Sequence, residues 1–232
     1  MRLSITTAVI TLAIAALTLT SCSDTTDPVP SLTVPTQYDS ASYATNTVAD
    51  YQLRSNMTAL TNLMKTGRVA GTTVDAGALT ATYAPIRPLT GAYYAPLVDG
   101  YLATLARVSG KLHNWQAAPT ASDAGGAYGG YLFDEYGVEM EQLVEKGLFT
   151  ASMYVQATTV MSAPLTSASV DRIVALFGAH PLFPNSDKAA TNADRFSAAY
   201  AARRDQNDGK GFYTRFRDQA IRLQAAVKAG AN

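Results

Sequence analysis

Apolar residues return at helical spacing in six stretches of this chain. Leu53, Met57, Leu60 and Met64 follow one another at steps of four, three and four, which places them on one face of a helix. Thr47-Val48-Ala49-Asp50 ahead of them has the spacing of a capping box, and Gly67, just after Lys65, is a stop signal. Tyr94, Val98, Tyr101, Leu105 and Val108 predict a second helix that starts near Pro96. The third pattern is the longest. It runs from about Glu135 to Ser162, with Met140, Val144, Leu148, Ala151, Val155 and Thr158 on one face and Pro164 behind it. Val170, Ile173, Val174 and Phe177 predict a shorter fourth helix; Ala193, Phe196 and Tyr200 a fifth; Phe216, Ala220, Leu223 and Val227 a sixth. Residues 68–88 read as a loop with one helical turn set around Asp75 to Tyr83, and Gly110 to Gly130 as a long mobile loop. No stretch alternates with period two. The expected fold is therefore an all-α bundle of five to seven helices, forming a single domain over residues 38–232.

The front of the chain follows a different logic. Met1-Arg2 is a short positive start, and Ile5 to Leu19 is an uncharged run of apolar residues and threonines, too short for a comfortable bilayer span. Leu19-Thr20-Ser21 then sets small residues before Cys22, the only cysteine of the chain. This order resembles the lipobox of bacterial lipoproteins. That resemblance implies a signal peptide over residues 1–21, cleavage before Cys22, and covalent lipid on the Cys22 thiol. Several acyl chains are needed because one alone anchors weakly, at about 0.8 kcal/mol per buried methylene. The alternative is an ordinary secreted protein with a leftover thiol. Residues 22–37 carry Pro28, Pro30 and Pro35 among Ser, Thr and Asp, a composition that builds no core and reads as a tether. Extended at about 3.1 Å per residue, it would hold the domain roughly 40–50 Å from the lipid. The expected location is the cell envelope, on the outer membrane, at its periplasmic face or the cell surface. Asp24 and Asp27 behind the anchor resemble acidic signals for surface export.

Composition narrows the classes. Hydrophobic residues make up 47% of the chain, enough for a core. Basic and acidic residues balance at 18 each, so no electrostatic reason exists to expect nucleic acid as a partner. A single cysteine allows no intrachain disulfide, so stability has to come from packing.

Candidate chemistry is sparse. His113 and His180 lack a second histidine three or four residues away and read as loop or helix-end residues. Gly125-Gly126 and Gly129-Gly130 flank Ala127-Tyr128 without a preceding strand pattern, a hinge or lid rather than a phosphate loop. On the third helix Glu135, Glu139, Gln142 and Lys146 would share one ridge. That ridge is either a polar ligand site, with Glu135 and Glu139 facing one cation, or a solvated flank where Glu139 pairs with Lys146 or Gln142. Gly147, inside the apolar stripe, predicts a close helix crossing, with Met57 or Leu60 of the first helix as the expected neighbour. The tyrosines, Tyr93, Tyr94 and Tyr101 among them, read either as a ligand cleft or as core-edge residues whose hydroxyls reach water.

The segment from Tyr131 to Leu148, with Phe133-Asp134-Glu135-Tyr136-Gly137-Val138-Glu139-Met140-Glu141 at its heart, resembles the signature of a family of helical bacterial lipoproteins bearing a domain of unknown function. That family is distantly similar to the imelysin-like, iron-regulated proteins. Tyr51 to Lys65 and Val74 to Leu79 are also similar to it, so the resemblance spans about Pro35 to Val160. It implies a helical domain on a lipid anchor and carries no established activity. In the family a later helix bears a motif with Glu, paired His, Trp, Asp and Glu. Ser167 to Gly178 of this chain holds no histidine pair, which puts a metal function inherited from relatives in question. Two functions follow as expectations. One is an envelope lipoprotein that binds a small ligand or protein partner, linked to iron or nutrient acquisition. The other is a metal-dependent hydrolase using Glu135, Glu139, Asp171 and His180.

Overall fold

A computed structural model describes residues 32–120, 123–205 and 210–230. Cys22, the signal segment and most of the tether lie outside the described residues. Helix dominates, and the fold is an all-α bundle with one small hairpin.

A short helix α1 (Tyr43–Asn46) leads into α2 (Val48–Thr66). Leu53, Met57, Leu60 and Met64 are all buried, as their spacing requires. The predicted capping box does not form. The Thr47 hydroxyl donates back to the Tyr43 carbonyl at 2.7 Å and closes α1, while Asp50 accepts from Arg172 at 3.0 and 3.1 Å. Helix α3 (Ala76–Tyr83) is a full eight residues, started by the Asp75 carboxylate accepting from the Ala78 amide at 2.7 Å. Helix α4 (Ala95–Val108) begins with Pro96 in its first turn.

The segment read as a mobile loop contains structure. Strand β1 (Gly126–Tyr128) pairs antiparallel with β2 (Tyr131–Phe133), with Tyr128 opposite Tyr131. The two-residue connection is Gly129-Gly130, at φ 57° and 81°, a conformation that suits tight hairpins and costs other residues. Leu112 bridges to Ala127 on the outer side of β1.

The third predicted helix starts later than its pattern. Helix α5 (Met140–Leu148) continues into a π-helical stretch, Phe149–Tyr154, and then α6 (Val155–Met161). Glu135 to Glu139 form a turn instead, because the Asp134 carboxylate accepts from the amides of Tyr136 and Val138 at 2.9 and 2.8 Å. The wide π turn leaves the Ala151 carbonyl free to accept from the Gly91 amide at 2.6 Å, and Ser152 meets Thr90 at 2.8 Å. Helices α7 (Ser167–Phe177), α8 (Phe196–Arg204) and α9 (Phe212–Lys228) complete the bundle. A Thr166–Ser169 capping box starts α7, and Gly178 at φ 95° ends it.

Two apolar clusters result. The first gathers α2 to α6 around Leu60, Leu79, Val98, Leu105, Val144 and Leu148. The second gathers α1, α7, α8 and α9 around Tyr43, Val174, Ala198 and Tyr213. Helix α7 serves both, with Leu176 in one and Val170, Val174 and Ala175 in the other.

Candidate functional site

The four residues expected on one ridge are dispersed. Glu135 lies in the turn after β2 and pairs with Arg107 at 2.7 Å, which holds its carboxyl below the usual range. Glu139 ends that turn and pairs with Arg68 at 3.0 Å. Neither is helical, so neither stacks above Gln142, which sits half-buried on α5. Lys146 pairs with its neighbour Glu145 at 2.8 Å, not with Glu139 or Gln142. Their separation follows from the Asp134 turn, which ends the ridge before it begins.

Lys146 faces a cleft of about 250 Å3 between α2, α5 and α8. Helix α2 contributes Thr58, Thr61, Asn62 and Lys65, residues three and four apart on one ridge. Helix α8 contributes Tyr200 and Arg203, one turn apart, and the loop before it supplies Asp187 and Arg195. The Lys146 ammonium stands 5.5 Å from the Phe149 ring centre and 5.3 Å from that of Tyr200. Burial alone would lower its pKa, but Glu145 and the Tyr200 hydroxyl raise it, so the charge is secure at neutral pH. Arg203 binds Asp187 at 2.5 Å and pulls that carboxyl below its ordinary value. The lining thus holds four cations, Lys65, Lys146, Arg195 and Arg203, and two carboxylates open to the cleft, Glu145 and Asp187. Asp194 also borders it but is fully buried and bonded to His180, Ser186 and Tyr213.

The residues of the alternative hydrolase take up separate duties. Asp171 accepts from Tyr38, and from Asn46 at 2.6 Å. The His180 ring accepts from the Leu182 amide at 3.2 Å, and burial lowers its pKa. Among the described residues no three of His, Cys, Asp or Glu converge where they could hold a metal ion. His113 meets the Asp134 carbonyl at 3.0 Å and stacks on Trp115 at 3.7 Å.

Several participants escaped the sequence reading. Tyr200 counted as a core position, and Arg203 follows it by one turn without an apolar marker. Glu141, outside the expected ridge, is 2% exposed and bound by Arg68 at 2.6 Å. Of the tyrosines, Tyr94 and Tyr101 are core-edge residues in edge-to-face contact, with the Tyr94 hydroxyl donating to the Leu143 carbonyl at 2.7 Å. Tyr128 and Tyr131 instead stand exposed on the hairpin, with Trp115 beside Tyr128. No family model matches the chain, and no curated protein or solved structure matches it either.

Proposed function

We propose that the chain is a cell-envelope lipoprotein, anchored through lipid on Cys22, which binds an anionic ligand or an acidic partner in the Lys146 cleft. One observation carries the binding half of this reading. Four cations line the cleft beside the faces of Phe149 and Tyr200. Lys146 and Arg203 pair with Glu145 and Asp187, and Lys65 with Glu141 at 4.0 Å. Arg195 has no carboxylate in ion-pair contact among the described residues, which leaves its charge for a ligand. The anchor half rests on the Leu19-Thr20-Ser21-Cys22 order. The link to iron or nutrient acquisition rests on the family resemblance alone. The metal-dependent hydrolase is the weaker reading, because Glu135, Glu139 and Asp171 are each engaged by different partners.

Calorimetric titration of the purified full chain with inorganic phosphate tests the cleft. Lys146→Ala and Arg203→Ala should each weaken binding on the order of tenfold, the loss of one charge-assisted contact. Wild-type chain that takes up no phosphate, or variants that bind it equally well, would remove this cleft as the site.

A further inference from the structure

Arg54, which is not in the lining of the Lys146 cleft, presents an anomaly. The residue is 8% exposed, and its Nη1 is sealed from solvent without a hydrogen-bond partner. Among the described residues no carboxylate reaches it within ion-pair distance. Asp50, Asp171 and Asp194 are engaged elsewhere, Asp50 by Arg172, Asp171 by Tyr38 and Asn46, and Asp194 by three donors. What holds the guanidinium is aromatic. The Tyr51 ring lies 4.4 Å from its central carbon and the Phe196 ring 5.7 Å. Phe196 does this from φ 51°, a conformation unfavourable for a bulky residue. Ring faces balance part of the charge but offer no in-plane acceptor, so the sealed Nη1 keeps an unmet donor, which is costly.

Tyr51 has a second role. It walls a cleft of about 560 Å3 together with Tyr43, His180, Pro181, Leu182 and Asn192. Tyr51, 39% exposed, borders both the guanidinium and the cleft, whose lining does not include Arg54, so seating a ligand on Arg54 requires the Tyr51 ring to move aside. We propose that this cleft binds a small monocarboxylate with an apolar body, the carboxylate seated on Arg54 and the body against Tyr43, Tyr51 and Leu182. The charge count selects a monoanion. Arg54 brings one positive charge, and His180 adds none at neutral pH because its burial lowers its pKa. A planar two-oxygen anion also matches the fork of N–H donors.

The probe is benzoate, titrated into the purified full chain by calorimetry and thermal shift, with benzamide and inorganic phosphate as controls. Benzoate should bind saturably and raise the unfolding midpoint, and neutral benzamide should do neither. Arg54→Met keeps an apolar stem between the two rings and should fold at least as well, yet bind benzoate at least about tenfold more weakly. Ala44→Trp, at an exposed position on the cleft wall, should block benzoate without touching Arg54. Lys146→Ala should leave benzoate binding unchanged, which separates this site from the phosphate cleft. Absence of saturable binding, equal binding of benzamide, or retention in both Arg54→Met and Ala44→Trp would overturn the proposal.

Discussion

Gly147 shows how a single residue announces a contact without naming the partner. A glycine inside a helical apolar stripe costs about 1 kcal/mol against alanine, so its presence points to a close approach. The approach is real, but the neighbour is Tyr94 at the start of α4, not Met57 or Leu60 of α2. A Cβ built at Gly147 would stand 1.9 Å from the Tyr94 hydroxyl oxygen and 2.3 Å from the ring carbon that bears it. Helical periodicity reports which face is crowded and carries no information on what crosses it, because the partner comes from another segment. Gly147→Ala should therefore destabilise by about 1–3 kcal/mol through overpacking, despite its better helix propensity. In a Tyr94→Ala background the same change should become neutral or favourable. Urea unfolding of the four variants measures this, and equal effects of Gly147→Ala in both backgrounds would show that Tyr94 is not the obstacle. Arg54 was legible only in part: a cation beside Leu53 and three residues before Met57 stands within the buried stripe, but its want of a partner is a fact of packing.

At the level of elements, the helices announced by runs of apolar residues at steps of three and four form, but the fifth starts at Phe196 and leaves Ala193 in the loop before it. The departures occur where local polar groups compete with the helix. Asp134 draws the amides of Tyr136 and Val138 into a turn, Gly137 follows at φ 79°, and the apparent helix from Glu135 cannot start before Met140. The hairpin was hidden because three-residue strands are too short to show alternation. The segment between α7 and α8 follows the same rule, since it is organised by one buried carboxylate. Asp194 accepts from the His180 amide at 3.1 Å, the Ser186 amide at 2.9 Å and the Tyr213 hydroxyl at 3.0 Å. Asp194→Asn leaves one acceptor oxygen and turns an NH2 toward a donor, at an expected cost of about 1–3 kcal/mol. Burial raises this carboxyl from 3.8, so the folded state keeps its proton to higher pH than the unfolded state does. That contribution is fully present below the ordinary value and is lost as pH rises through the folded one. Asparagine does not titrate, so its deficit should be largest at about pH 4 and smaller at about pH 7. Urea unfolding at both values checks it; a deficit that grows toward neutral pH would mean that the ionised carboxylate is the favoured folded form.

Across the whole molecule the start of the folded part is fastened by polar contacts that no pattern near residue 38 reveals. The Asp39 amide donates to Gln224 at 2.9 Å, the Gln224 amide returns a bond to the Asp39 carbonyl at 2.8 Å, and Lys228 pairs with the Asp39 carboxylate. Tyr38 reaches Asp171 on α7. These partners lie 133 to 189 residues away in sequence, which is why the bundle was legible in class but its closure was not. The fastening also separates folding from anchoring. The groups that secure residues 38 and 39 belong to α7 and α9, so this support comes from within the bundle. If Cys22 carries the acyl chains, Cys22→Ala should move the protein out of the membrane fraction or block its processing, since no other residue offers that attachment. Any soluble product should keep the helical circular dichroism and the unfolding midpoint of the wild-type chain. The amount in membranes after a salt wash decides the matter, because electrostatic adhesion is screened and lipid anchoring is not. A Cys22→Ala chain that stays with the membranes through that wash, at the same processed length, would show that the attachment lies elsewhere and that the lipobox reading is wrong.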